Sequence, residues 1–307
     1  MNINQHQNNG PEGRSNLSPF AFGWLAAAII ITLFTLGGSI VMGLAVDSVS
    51  STGNIDISSR NFFLSAAAGQ ILFFLIPSLW LAQRHPLGLK EALRLRRPKF
   101  SHVTLTLLGI AACYVLGQAW MTAQELYMIP DWFGSTYETL SQNSDMIAEQ
   151  LLVGKDTALL LLALFTVALV APVGEEFVFR GIIQRSFEDR LKPFAAMLLA
   201  GGLFGFVHLQ LNNLIPLIGL GMYLGFVSWA SGSIWPAIIG HILFNGSQIL
   251  LVNLASESSI NLETTPTPEF FLEIIPSAFI SLFLLVGAII VMMKTRNKGE
   301  GMRAEEC

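Results

Sequence analysis

Apolar residues run along this chain in eight long stretches, each closed by a short polar or charged segment. They span roughly 20–46, 62–82, 102–122, 156–176, 193–210, 213–231, 234–254 and 271–293. A helix of about 18 to 20 apolar residues crosses a hydrocarbon core of about 30 Å. The pattern therefore predicts an all-α, polytopic membrane protein of about eight transmembrane helices. Only Gln210 to Asn213 separate the fifth and sixth stretches. A transmembrane barrel would need alternating strands of about ten residues, and none appear. Residues 1–19, rich in Asn and Gln with Gly and Pro, read as a disordered N-terminus. Residues 20–293 read as one membrane domain and 294–307 as a tail, with no internal repeat.

Composition agrees with the pattern. The chain is 52% hydrophobic and 12% charged, with a mean hydropathy of +0.58, whereas a soluble domain carries about 25% charge. The cations add a direction. Six Lys and Arg lie between Arg84 and Lys99, four between Arg180 and Lys192, and four between Lys294 and Arg303. With Arg14 these make 15 of the 17, leaving only Arg60 and Lys155. By the positive-inside rule both termini are cytoplasmic. The loop Arg84 to Lys99 reads either as an orientation signal or as a short interfacial helix on anionic lipid. Net charge is −4, with acids clustered at 123–155, and nothing points to nucleic acid. The Gly43-Leu44-Ala45 sequence resembles a signal-peptide cleavage site. The apolar stretch before it is too long for one, so it reads as a retained anchor. Cys113 and Cys307 make no disulfide framework, and Cys307, as the last residue, is no prenylation box.

Two adjacent glutamates carry the chemistry. They stand in Ala171-Pro172-Val173-Gly174-Glu175-Glu176-Phe177-Val178-Phe179-Arg180-Gly181, after an uncharged run from Thr157 to Val173. Ionisable groups in such a setting are costly and are functional candidates by default. Residues four apart share a helical face, so Glu176 and Arg180 can pair. Glu175 is turned about 100° away, which leaves it free as a general base. Pro172 and Gly174 can kink the helix and admit water. The bland alternative is a helix that has reached the interface, where charge is ordinary. His208 follows Phe204 by four residues, so the ring of Phe204 should pack over the imidazole. His241 and Asn245 share another face and could hold an oxyanion. Each could instead be interhelical glue. Of the other histidines, His6, His85 and His102 lie in loops or at a span edge. A carboxylate base, an imidazole and a two-donor cradle together suit amide hydrolysis. No nucleophile elbow, His-Glu-x-x-His motif or phosphate-binding loop competes.

Glu175-Glu176-x-x-x-Arg180, Phe204-x-x-x-His208 and His241-x-x-x-Asn245 resemble the three motifs of the CPBP family. This is the family of CAAX proteases and bacteriocin-processing proteins, which includes the prenyl-protein endopeptidase. The resemblance covers about residues 155–250. It implies an intramembrane endopeptidase of eight helices in which Glu175 activates water and His208 orients it. His241 and Asn245 would stabilise the oxyanion, with Glu176, Arg180 and Phe204 in support. It implies no cofactor on a glutamate mechanism. On the older metalloprotease label, Glu175, His208 and His241 would bind zinc. The expected partners are membrane lipid and a membrane-associated peptide or protein, prenylated or not. The expected location is a bacterial cell membrane.

Depth poses a difficulty for this assembly. At about 1.5 Å per residue, His241 lies about 10 Å from the cytoplasmic side and His208 about twice as deep. Glu175 reaches the level of His208 only if its helix continues to about Phe187. Two other classes compete: a non-catalytic scaffold or immunity protein of the same fold, and a proton-coupled carrier. The carrier reading lacks the inverted repeats and paired broken helices of transporters.

Overall fold

The computed structural model describes residues 13–49, 55–57, 59–139, 141, 157–258 and 267–296. The disorder expected for residues 1–12, the tail beyond 296, His6, Lys155, Cys307 and most of the 140–156 stretch lie outside the described residues.

The fold is all-helical as expected. Helices α1 (Pro19–Ala45) and α2 (Arg60–Arg84) flank a small antiparallel ribbon, β1 (Val46–Val49) paired with β2 (Ile55–Ile57). A short helix α3 (Leu89–Ala92) lies in the basic loop. Then come α4 (Phe100–Tyr127), α5 (131–139) and α6 (Thr157–Phe187). The chain continues through α7 (Pro193–Val207), α8 (Leu214–Ser231), α9 (Trp235–Ser258) and α10 (Pro268–Thr295).

Local chemistry sets several boundaries. Proline opens α7 and α10 at their first turns, where a missing N–H costs nothing, and the Thr267 hydroxyl accepts from Phe270 N at 3.1 Å. Gly232, at φ 64°, ends α8 in the left-handed conformation that glycine adopts without strain.

Seven of the eight expected spans are long and apolar enough to cross a membrane. The exception is the fifth, expected over 193–210. Its helix α7 holds 15 residues, about 22 Å at 1.5 Å per residue, and so falls short of the bilayer core. It stops because the chain turns out at His208 and Leu209, the latter at φ 53°. The outer faces are those of a protein solvated by lipid. Phe279 and Phe283 on α10 and Leu36 and Ile40 on α1 are all more than 60% exposed. A water-facing surface would not carry so wide an apolar belt.

Inside, one cluster packs Phe22, Leu81, Phe179, Ile183, Phe187 and Phe204 between α1, α2, α6 and α7. A second joins Ile110, Leu224, Ala237 and Met292 from α4, α8, α9 and α10. A third joins Phe63, Ala168 and Ile249 from α2, α6 and α9.

Candidate active site

Helix α6 is not regular. Its backbone widens to five-residue hydrogen-bond spacing over Leu164–Val170 and again over Phe177–Gln184. Such widened turns mark functional segments in many helices. The first has an identifiable consequence. Ala171 N donates to Thr166 O across five residues. In the same register the carbonyl of Val167 would need an N–H from residue 172, and Pro172 has none. Asn245 on α9 supplies the missing donor, its Nδ2 lying 2.9 Å from Val167 O.

The helix runs on to Phe187, the continuation that the sequence required for bringing Glu175 level with His208. Helix α9 meets it from the other side because its start is sunk. Ser233 and Ile234 are wholly buried. The Ser233 hydroxyl donates to Arg96 O at 2.6 Å, and Ile234 N donates to Arg94 O at 3.3 Å. The basic loop thus roofs the α8–α9 corner. It is anchored there by Arg94, which pairs with Glu188, and by the buried Leu93.

Glu176 and Arg180 pair as the spacing predicts, with Arg180 Nη1 2.9 Å from Glu176 Oε1. Both are essentially unexposed. Further contacts offset part of the cost of burying this pair. Arg180 Nη2 donates to Gly221 O at 3.1 Å, and its guanidinium lies 4.6 Å from the Phe204 ring centroid. Beyond the expected pair, the Nδ1–H of His241 donates to the same Glu176 Oε1 at 2.8 Å. Arg180, Glu176 and His241 therefore form one chain. With Nδ1 committed, Nε2 of His241 points toward Glu175, 3.7 Å from its Oε2. That Oε2 has no hydrogen-bond partner among the described residues. Glu176 is held by Arg180 and His241 through its Oε1, while its Oε2, like Glu175 Oε2, makes no hydrogen bond among the described residues.

His208 caps α7. Its Nδ1 donates to Phe204 O at 2.6 Å, which leaves Nε2 as an acceptor. The ring of Phe204 packs 4.6 Å from His208 as expected, and it also meets His241 at 5.7 Å and Phe179 at 5.3 Å. Phe204 is the apolar post around which the polar groups stand.

Glu175, Phe204, His208, His241 and Asn245 all line one cavity of about 500 Å³. Its wall also carries four glutamines, Gln70, Gln118, Gln210 and Gln248, from α2, α4, the α7–α8 turn and α9. Sequence reasoning passed over these amides. It passed over Gln184 as well, which is wholly buried and donates to Gly225 O and to Glu188, each at 3.0 Å. Four glutamines on separate elements have no shared spacing to betray them. Burial, in turn, does not single out the catalytic candidates. His85 and His102, expected in a loop and at a span edge, are both fully buried.

Among the described residues no three His, Cys, Asp or Glu side chains converge to hold a metal ion.

The fold and the site define a polytopic helical membrane protein with a buried carboxylate–histidine centre opening on an amide-lined cavity. Comparison with known proteins narrows the class. Residues 157–247 match the family model described as type II CAAX prenyl endopeptidase Rce1-like. That stretch contains all seven motif residues, from Glu175 to Asn245. A Bacillus subtilis (strain 168) protein named "Putative membrane peptidase YdiL" is 29% identical over 84 residues. The alignment covers 27% of this chain and 34% of that protein, so the chain spans about a third of the relative's length. No solved structure matches. Both matches support the resemblance to CAAX-type, CPBP proteases that the motifs carry.

Proposed function

We propose that the protein is an intramembrane endopeptidase that hydrolyses a peptide bond of a membrane-associated substrate by a glutamate mechanism. The observation that supports this reading is Glu175 Oε2, which makes no hydrogen bond among the described residues and faces His241 Nε2 across 3.7 Å at the wall of a cavity of about 500 Å³. Glu175 takes a proton from a water molecule whose other hydrogen is accepted by His208 Nε2. The water oxygen adds to the scissile carbonyl carbon. The oxyanion so formed is held by His241 Nε2–H and by the Asn245 N–H not spent on Val167. Glu175 then returns the proton to the amide nitrogen as the C–N bond breaks.

For Nε2 to donate, His241 must carry both ring protons. The four cavity glutamines offer paired amide donors and acceptors that match a peptide main chain.

The reading extends to the location. Both termini stand in the cytoplasm, the chain lies in a bacterial cell membrane, and the substrate is a membrane peptide or protein, prenylated or not. A second reading, a non-catalytic scaffold or immunity protein, draws on the commitment of Asn245 to a structural hydrogen bond.

The deciding assay uses purified protein with a fluorogenic prenylated peptide and a mixed library of membrane peptides. Glu175→Gln and His208→Ala are each compared with wild type, with and without chelator. Glu175→Gln, folded by gel filtration, is expected to lose at least about 10³-fold in kcat, with cleavage indifferent to chelator. Cleavage retained in that variant would sink the glutamate mechanism. A folded wild type inactive on every peptide favours the scaffold.

A further inference from the structure

We propose that Pro172 is a positioning residue for Asn245, resting on the peptidase reading above for its effect on catalysis. The argument starts from a hydrogen bond that the chain cannot make. The widened turn over Leu164–Val170 shifts the donors of α6 by one residue, as Ala171 N reaching Thr166 O shows. Val167 O is the next acceptor in that register, and Pro172 has no N–H to give it. An unpaired carbonyl in an apolar interior is costly, and the chain resolves the cost from α9 through Asn245 Nδ2 at 2.9 Å. That bond fixes the Asn245 side chain and the plane of its amide. One N–H is spent on Val167, and the second N–H stays at the cavity wall that Asn245 lines. Proline at 172, three residues before Glu175, therefore sets the position of a donor on another helix. Any other residue at 172 would bring its own N–H into the ladder, release Asn245 and let its amide rotate.

Two arms of one double-mutant cycle test this, with Pro172→Ala, Asn245→Ala and the double variant. If Pro172→Ala is not monodisperse, Pro172→Leu restores the same N–H and replaces it. The first arm reads melting temperature and needs no substrate. Asn245→Ala is expected to lower it in the wild-type background. In the Pro172→Ala background the loss should be less than about half as large, because the carbonyl already has a donor. The second arm reads kinetics on the cleaved peptide. Pro172→Ala is expected to lower kcat about tenfold with KM unchanged, as a misaimed transition-state donor does. Adding Asn245→Ala should then cost less than it does alone. Pro276→Ala, at the helix-interior proline of α10, should leave kcat as it is. Equal melting losses of Asn245→Ala in both backgrounds overturn the proposal. So does a wild-type kcat in Pro172→Ala, or fully multiplicative kinetic effects. Wild type that cleaves nothing counts against the peptidase reading instead, and the melting arm still decides the positioning.

Discussion

His85 shows how a single residue can be legible in type and illegible in environment. It follows α2 in a basic loop, where a histidine is ordinarily solvated, yet it is wholly buried. Leu87 N donates to its Nδ1 at 3.1 Å, so the ring proton sits on Nε2 and points to the Ser186 hydroxyl at 2.9 Å. A second proton would have to enter at Nδ1, against the Leu87 N–H. Burial, and then the nearby Arg185, push the pKa down to about 4 from an ordinary 6.5. The unfolded chain therefore binds the proton more readily than the folded one. Stability from neutral His85 is complete above pH 6.5 and drains away as pH falls toward 4, with about 2 kcal/mol gone by pH 5. Thermal unfolding of wild type against His85→Gln should show their difference shifting in favour of glutamine between pH 7.5 and pH 5. A difference constant over that range would remove the pH dependence from His85. At the same scale, the motif residues were easier to read. The i, i+4 spacing of Glu176 and Arg180 needs nothing beyond a helix to bring them together.

At the scale of elements, seven of the eight spans follow from length and hydropathy alone, because a bilayer demands a run of apolar residues from any helix that crosses it. The short α7 escaped that reading. Its apolar run continues through Val207, and what ends the helix is the turn at His208 and Leu209, with His208 at the cavity wall and Leu209 exposed. The α7–α8 hairpin is held by close backbone approach. A Cβ on Gly201 would stand 2.8 Å from Met222 N, and one on Gly221 would stand 2.9 Å from Gly201 Cα. Gly221 also offers the carbonyl that Arg180 uses. Gly201→Ala should therefore push the two helices apart and lose about 1–3 kcal/mol, read as a lower melting temperature. Because Phe204 and Gly221 both move with the hairpin, activity should fall with it. An unchanged melting temperature would mean that the hairpin has slack the geometry does not show.

For the molecule as a whole, the cation count sets an orientation that can be tested directly. In a Cys113→Ser background Cys307 is the one remaining thiol. A membrane-impermeant maleimide added to intact cells should leave it unlabelled until the membrane is permeabilised. Labelling of intact cells would reverse the topology. The basic loop itself turned out to be more than a charge signal. Leu93 and Arg94 dock it against the end of α6 and the start of α9, where Ser233 and Ile234 are buried.

The sequence by itself determined the helical membrane class and the pairing of Glu176 with Arg180, and it named the residues that meet at the centre. Those properties follow from local periodicity and from the cost of charge in lipid, and both act along the chain. Only the tertiary structure decided that His241 joins Glu176, that Asn245 takes the carbonyl which Pro172 cannot serve, and that α9 meets α6 at the site. These depend on distances between helices, which are set by glycine contacts, widened turns and a folded-back loop, none of which leaves a period in the sequence.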